Sequence, residues 1–220
     1  ETEYLLVDCH YLGIENVMAL RGDAMKHEQY FKACNGGHSF ASELVEQIQN
    51  LNAGKYLHDV IDADDKADFC IGVAGYPEKH QEAPSMELDL ENLKRKVDAG
   101  AGIVITQLFY DNEDFYRFRE RCDAMGITAP IVPGILPVTN FQQVQRISSM
   151  CGAKLPAAMV AALEGAGSTE DQYDVGIDLA VEQVQNLVDN KIPGLHFYVL
   201  NKSEATSKVL DRVSLPQRNC

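Results

Sequence analysis

The sequence predicts an α/β fold built on a parallel sheet with helices outside it, and three observations carry the prediction. Short apolar runs rich in β-branched residues alternate with longer amphipathic stretches, the pattern of repeated strand and helix units. The runs are nearly continuous, as in strands buried on both faces. With 45% hydrophobic and 24% charged residues, the chain of 220 residues holds enough apolar material for one sizeable core, so residues 1–220 are expected to form a single domain.

Each element has its own signal. Tyr4, Val7 and Tyr11, beside Leu5 and Leu12, form a helical stripe that stops at Gly13, a natural C-terminal cap. Strands are expected at 16–20, 69–74 (FCIGVA), 102–108 (GIVITQL), 130–134 and 195–200 (LHFYVL). Helices are expected at 41–50, 86–99, 113–125, 140–151 and near 170–190. Phe115, Phe118, Cys122 and Met125 step by three or four residues, giving one apolar helix face that ends at Gly126. A last helix opens at Ser203 as N-cap and carries Val209, Leu210 and Val213. Five such units fit either an open doubly wound sheet or part of a closed (β/α)₈ barrel, which has eight strands and typically ~250 residues; periodicity does not separate the two.

The formal net charge of −14 argues against a nucleic-acid surface, which needs a concentrated field of Lys and Arg. No apolar run approaches the ~20 residues of a membrane span, and the first residues lack the basic start and apolar stretch of a signal peptide. No membrane or nucleic-acid partner is expected. Cys9, Cys34, Cys70, Cys122, Cys151 and Cys220 are spread singly, without a C-x-x-C pair or zinc-module spacing, and read as free thiols in a reducing cytoplasm.

Polar residues cluster where the apolar runs end. Arg21, Gly22 and Asp23 follow the first strand, Tyr76 and Pro77 the second, Gln107 closes the third, Pro133–Pro137 (PGILP) follows the fourth, and Asn201 and Lys202 follow the fifth. The C-terminal ends of strands are where both barrels and open α/β sheets bind ligands. In the helix after the second strand, Asp89, Asn92 and Lys96 share one face with Arg95 beside it, which alone describes a solvated charged stripe. Glu78, His80 and Glu82 offer a single His with no second His nearby, so no metal site is expected. An integrin-type role for the RGD tripeptide needs secretion, for which there is no signal.

Seven motifs stand in a fixed order: ALRGD (19–23), AGYPEKHQEA (74–83), DLENLKRKVDAGA (89–101), ITQLFYD (105–111), RFRERC (117–122), PIVPGILPVTNF (130–141) and HFYVLNKSEAT (196–206). Together they resemble the methylenetetrahydrofolate reductase family, over nearly all of the chain from Tyr4 to about Leu210. The resemblance implies a TIM (β/α)₈ barrel, represented here by the last five βα units. It also implies a bound FAD that takes hydride from NADH or NADPH and passes it to 5,10-methylenetetrahydrofolate, giving 5-methyltetrahydrofolate.

Carried over residue by residue, the resemblance lays Arg21, Gly22 and Asp23 along the flavin. The Asp23 carboxylate, the expected catalytic group, would hold the pterin through its N–H groups and disfavour the reduced, anionic flavin. Tyr76 and His80 resemble flavin contacts, with Ala41 and Ala83 lining the same pocket. Asp89, Asn92, Arg95 and Lys96 become a cradle for the ribityl and diphosphate portion, the last two supplying positive charge. Gln107 and Gln143 are the implied folate contacts, Gln107 serving the nicotinamide as well, and Lys202 stands where familiar members often carry an Arg that grips the glutamate tail.

Other features depart from the pattern. Residues 52–68 form a longer and more acidic connection than expected, read as a neutral surface insertion. Residues 24–39 follow a strand, and Gly36 with Gly37 suits a movable lid; His27, Cys34 and His38 have no ligand-like regularity. The family's first three units, with a general-acid Glu and a Thr and His that help bind flavin and nicotinamide, have no counterpart in these residues. The expected partner is a folate, the expected assembly a homo-oligomer. The alternative reading is a non-catalytic flavin- or folate-binding barrel fragment that needs an N-terminal segment or a partner chain.

Overall fold

Apolar runs too short for helices form five strands: β1 (Asn16–Ala19), β2 (Cys70–Gly75), β3 (Ile103–Leu108), β4 (Ile131–Ile135) and β5 (His196–Phe197). The computed structural model describes residues 1–25, 27–28, 30–57 and 66–216. Residues 58–65 of the acidic connection at 52–68, and Cys220, lie outside the described residues. The helices are α1 (Thr2–Tyr11), α2 (Ala41–Asn52), α3 (Met86–Asp98), α4 (Asn112–Ala124), α5 (Phe141–Cys151), α6 (Ala157–Gly165), α7 (Thr169–Asp189) and α8 (Glu204–Leu210). No helix among the described residues is long and apolar enough to cross a membrane.

The strands hydrogen-bond in the order β1-β2-β3-β4-β5. β1 and β2 pair in parallel from Asn16 opposite Cys70 to Ala19 opposite Val73, and β4 and β5 pair Gly134 with His196 and Ile135 with Phe197. Parallel neighbours need a crossover between them, which the helices supply. A doubly wound sheet would reverse its strand order at a switch point, whereas successive strands lie side by side in a βα barrel wall. The topology is therefore of the barrel type.

Long-range contacts divide the chain into two units that interleave in sequence. The first comprises residues 1–75, 90–104 and 125–130, and the second 76–89, 105–124 and 131–220. In the first, Val45, Ile48 and Leu51 recur at helical spacing on α2, which packs on β1 and β2, and all three are buried along with Ile71 and Val73. The Asn52 side chain both donates to the Phe69 carbonyl (3.0 Å) and accepts the Phe69 N–H (2.9 Å), fixing the entry to β2. Glu43 accepts the N–H groups of Ser39 and Phe40 at 2.7 and 3.2 Å, satisfying donors at the start of α2.

In the second unit, Phe109 and Phe115 stack at 5.4 Å and, with Phe118 and Cys122, bury the apolar face of α4. Burial pushes the Cys122 thiol up to about 12, so it stays protonated. Val138, Phe141, Val144, Met159 and Leu163 form a second cluster joining α5 and α6. α7 approaches the backbone so closely that a Cβ on Gly176 would overlap the Val138 carbonyl oxygen. Buried Thr106 accepts the Gly134 N–H through its hydroxyl (2.9 Å) and the Tyr198 hydroxyl through its carbonyl (2.8 Å), tying β3, β4 and the end of β5 together.

Three expectations need correction. The α1 stripe does not face a core: Tyr11 and Leu12 are 89% and 72% exposed, and the buried residues are Leu6 and Glu3, whose carboxylate accepts the Leu57 N–H at 2.7 Å. Burial on both faces holds throughout β4, but β3 alternates, and in β1 two of the four residues are exposed and only Ala19 is buried. β5 is two residues long instead of six, and the backbone turns into the left-handed region at Leu200 and Asn201, with φ of 46° and 61°. Ser203 occupies the N-cap of α8, yet its side chain makes no capping bond.

Candidate active site

The expected site residues occupy the C-terminal ends of the strands and the segments that follow. In the first unit, Arg21 lies after β1 with its guanidinium 5.0 Å from the centroid of the Phe31 ring, a cation–π arrangement. A Cβ on Gly22 would sit 3.3 Å from the same ring, so the loop closes tightly there. Asp23 is exposed, and Ala41 is the partly buried first residue of α2. On α3, the Arg95 guanidinium donates to the Asn92 side-chain oxygen at 3.2 Å, and the Lys96 ammonium donates to the Ala74 carbonyl on β2. The helix face thus presents cations beside the end of a strand.

In the second unit, the segment after β2 folds onto itself. Tyr76 and His80 meet edge to face at 4.6 Å, the His80 N–H donates to Asp89 Oδ2 at 2.8 Å, and the Ala83 N–H donates to the His80 carbonyl at 3.0 Å. Four expected flavin contacts, Tyr76, His80, Ala83 and Asp89, are therefore brought together, although ~13 residues of extended chain could separate their ends by more than 40 Å. Lys79, which sequence reasoning left out, anchors the turn: its φ is 84°, and its ammonium donates to the carbonyls of His80 and Ala83. An αL lysine is uncommon, and no local sequence signal announces it.

Gln107 closes β3 with its side-chain oxygen accepting the Leu108 N–H at 2.9 Å. Gln143 lies exposed in the first turn of α5, where its N–H donates to the N-cap Asn140 at 2.9 Å. Lys202 is exposed after β5, its N–H donating to the Val199 carbonyl at 2.7 Å. The described hydrogen bonds and ion pairs do not join Gln107, Gln143 or Lys202 to one another. Nearby, His196 packs edge to face on Tyr198 at 4.9 Å, and partial burial lowers its pKa from the ordinary range, favouring the neutral imidazole.

A recess of about 740 Å³ in the first unit is lined by Glu1, Glu3, His38, Glu43, Glu46 and Lys55, among others. It includes none of the expected site residues, and its carboxylates do not suit an anionic ligand. Within the 24–39 segment, Gly36 takes a φ of 75° in a turn closed by the Gly37 N–H on the Cys34 carbonyl, and His38 Nε2 lies 2.7 Å from the Gln47 side-chain oxygen. Among the described residues, no group of three or more His, Cys, Asp or Glu side chains is placed to hold a metal ion.

Comparison with known proteins supports the family resemblance. A protein of Escherichia coli strain K12 named 5,10-methylenetetrahydrofolate reductase is 40% identical over 197 residues, covering 87% of this chain and 58% of that protein. Proteins of Zea mays and Arabidopsis thaliana, each named methylenetetrahydrofolate reductase (NADH) 1, are 38% and 37% identical and cover 92% of this chain but 34% of their own length. The chain thus spans a little over half of the bacterial relative and about a third of the plant ones. With the family model for methylenetetrahydrofolate reductase matching residues 1–214, the chain belongs to the methylenetetrahydrofolate reductase family.

Proposed function

We propose that the protein reduces 5,10-methylenetetrahydrofolate to 5-methyltetrahydrofolate, using FAD and a reduced nicotinamide, within a barrel to which these residues contribute the last five βα units. The observation that carries the reading is the match to the family model from residue 1 to residue 214. The names of the plant relatives favour NADH as the nicotinamide. When bound, FAD supplies the hydride relay between nicotinamide and folate.

This chain's residues suit a ligand that is part flat ring and part diphosphate. Tyr76 and His80 present aromatic surface after β2, while Arg95, held by Asn92, and Lys96 place positive charge on a chain of net charge −14. Arg21 and Gly22 line the ring system, with Ala41 and Ala83 giving it room. The exposed Asp23 carboxylate accepts pterin N–H groups, and Gln107 offers two donors and an acceptor to the pterin edge or to a carboxamide. Gln143 and Lys202 bind the remainder of the folate, Lys202 as a point charge for a carboxylate.

Asp23→Asn tests the reading. The amide keeps an acceptor but loses the charge, and a hydrogen bond to a charged group is worth about 1.5–3 kcal/mol. In the full-length protein, flavin oxidation by methylenetetrahydrofolate is expected to slow by roughly tenfold to a hundredfold. Flavin reduction by nicotinamide should change by no more than about threefold. Stopped-flow measurement of the two half-reactions separates them; equal losses in both would assign Asp23 a structural role only.

A further inference from the structure

The loop that carries Tyr76 and His80 also reaches α5. Its Glu78 carboxylate accepts the Lys154 N–H with both oxygens, at 3.0 and 3.2 Å. Its Gln81 amide donates to the carbonyls of Ser149 and Met150, at 3.3 and 2.9 Å. These partners lie 68–76 residues away in sequence. We propose that Glu78 and Gln81 are positioning residues for the folate: they clamp the C-terminal end of α5 to this loop, and so hold Gln143, on the same helix, in place relative to Tyr76 and His80. The inference rests on the reading above, in which Tyr76 and His80 meet the flavin and Gln143 meets the folate.

The clamp acts where a helix is least tied to itself. Ser149 and Met150 fall in the last turn of α5, whose carbonyls have no partner within the helix, and Gln81 supplies one donor to both. The chain then leaves the helix through Gly152 in the left-handed conformation, with φ of 76°. A Cβ at Gly152 would stand 3.0 Å from Gln81 Cγ, so loop and helix end are in van der Waals contact. Glu78 takes the first donor beyond this turn. As a rigid rod of 11 residues, α5 carries any displacement of this end to Gln143, roughly 12 Å along the axis at 1.5 Å per residue.

The physical state of Glu78 indicates position instead of stabilisation. Its side chain is only 7% exposed, while that of Lys154 is 76% exposed and its ammonium lies 3.9 Å away, so the ion pair is largely screened by solvent. Burial, reinforced by the charges of Asp114 and Asp111, raises the carboxyl above its ordinary value despite the Lys154 N–H. A carboxyl whose pKa is raised on folding binds its proton more tightly in the native state. Its contribution to stability therefore falls as pH rises from the unfolded value through the folded one. At neutral pH an isosteric amide would avoid that cost and still accept the Lys154 N–H.

The test uses the full-length flavoprotein carrying Glu78→Ala, Gln81→Ala, both together, and Glu78→Gln. In the double variant KM for methylenetetrahydrofolate should rise about tenfold, while flavin content and the rate of flavin reduction by NADH stay within about twofold. Glu78→Gln should restore most of the loss and melt no lower than the parent. Gln81 is exposed, so Gln81→Ala alone keeps the test open if the double variant does not fold, with an expected rise in KM of about threefold. An unchanged KM in a folded variant overturns the proposal, as does flavin loss in proportion to the KM effect. A parent protein that binds no flavin overturns the functional reading first, before any variant is compared.

Discussion

Gly134→Ala in the full-length protein is expected to lower the melting temperature by roughly 6–12 °C, corresponding to about 3 kcal/mol at the upper end of overpacking costs. Gly134 lies on β4 inside the PGILP motif, and its N–H is already held by the Thr106 hydroxyl at 2.9 Å. An added Cβ would overlap the Thr106 carbonyl oxygen and stand 2.7 Å from the Tyr198 ring. A backbone oxygen has no rotamer to escape into, and Tyr198 is held to that same oxygen by its hydroxyl. Relief therefore requires strands to part. Gly176→Ala should cost as much, since its Cβ would overlap the Val138 carbonyl. Gly165→Ala, with no atom within 4 Å of the new Cβ, should lie within about 0.5 kcal/mol of the parent. Thermal unfolding of the three variants checks the ranking, and a neutral Gly134→Ala would show that β3 and β4 are not packed as described.

The second large effect is expected on flavin affinity. Arg95 is exposed and bonded to Asn92 through one guanidinium nitrogen, leaving further donors for a diphosphate oxygen. Each charge-assisted hydrogen bond is worth about 1.5–3 kcal/mol, so Arg95→Ala should weaken FAD binding about tenfold and the double change with Lys96→Ala at least about a hundredfold. Lys96 also donates to the Ala74 carbonyl, so its removal loosens the end of β2, whereas Arg95→Ala should leave stability unchanged. Titration of apoprotein with FAD, followed by flavin fluorescence, measures both. Affinity unaffected by the double change would remove α3 from the diphosphate site.

The parts of this fold that were legible in the sequence are those governed by local patterns. Strand runs such as FCIGVA and GIVITQL, and the period of Phe115, Phe118 and Cys122, placed β2, β3 and α4 to within a residue or two. α6 has no counterpart among the expected helices, because PAAMVAALEG is apolar without a clear period. The LHFYVL run promised a full strand, but β5 stops after Phe197 and the backbone then turns left-handed at Leu200 and Asn201, which hydrophobicity does not encode. Likewise, the α1 stripe gave a helix correctly but not the side that packs, because Glu3 is buried by a bond to Leu57, 54 residues away.

The same division applies to the site. Spacing alone puts Asp89, Asn92, Arg95 and Lys96 on a charged helix face, and only the resemblance to a family proposes that face for a flavin. The Lys79 anchor and the grips of Glu78 and Gln81 depend on backbone atoms that any residue supplies, so their partners leave no trace in composition. Glu78 stood in a recognised motif, but its partner did not.

In the proposed function, this chain is part of a flavoprotein that delivers hydride from nicotinamide to methylenetetrahydrofolate. The most direct test of that proposal is a single anaerobic experiment on the purified full-length protein: reconstitute with FAD, add NADH and methylenetetrahydrofolate, and follow both the flavin absorbance and the folate product. Flavin should bind, bleach on addition of NADH, and recover on addition of the folate, with one 5-methyltetrahydrofolate formed for each NADH consumed. A protein that binds no flavin, or one whose reduced flavin is not reoxidised by methylenetetrahydrofolate, would contradict the account.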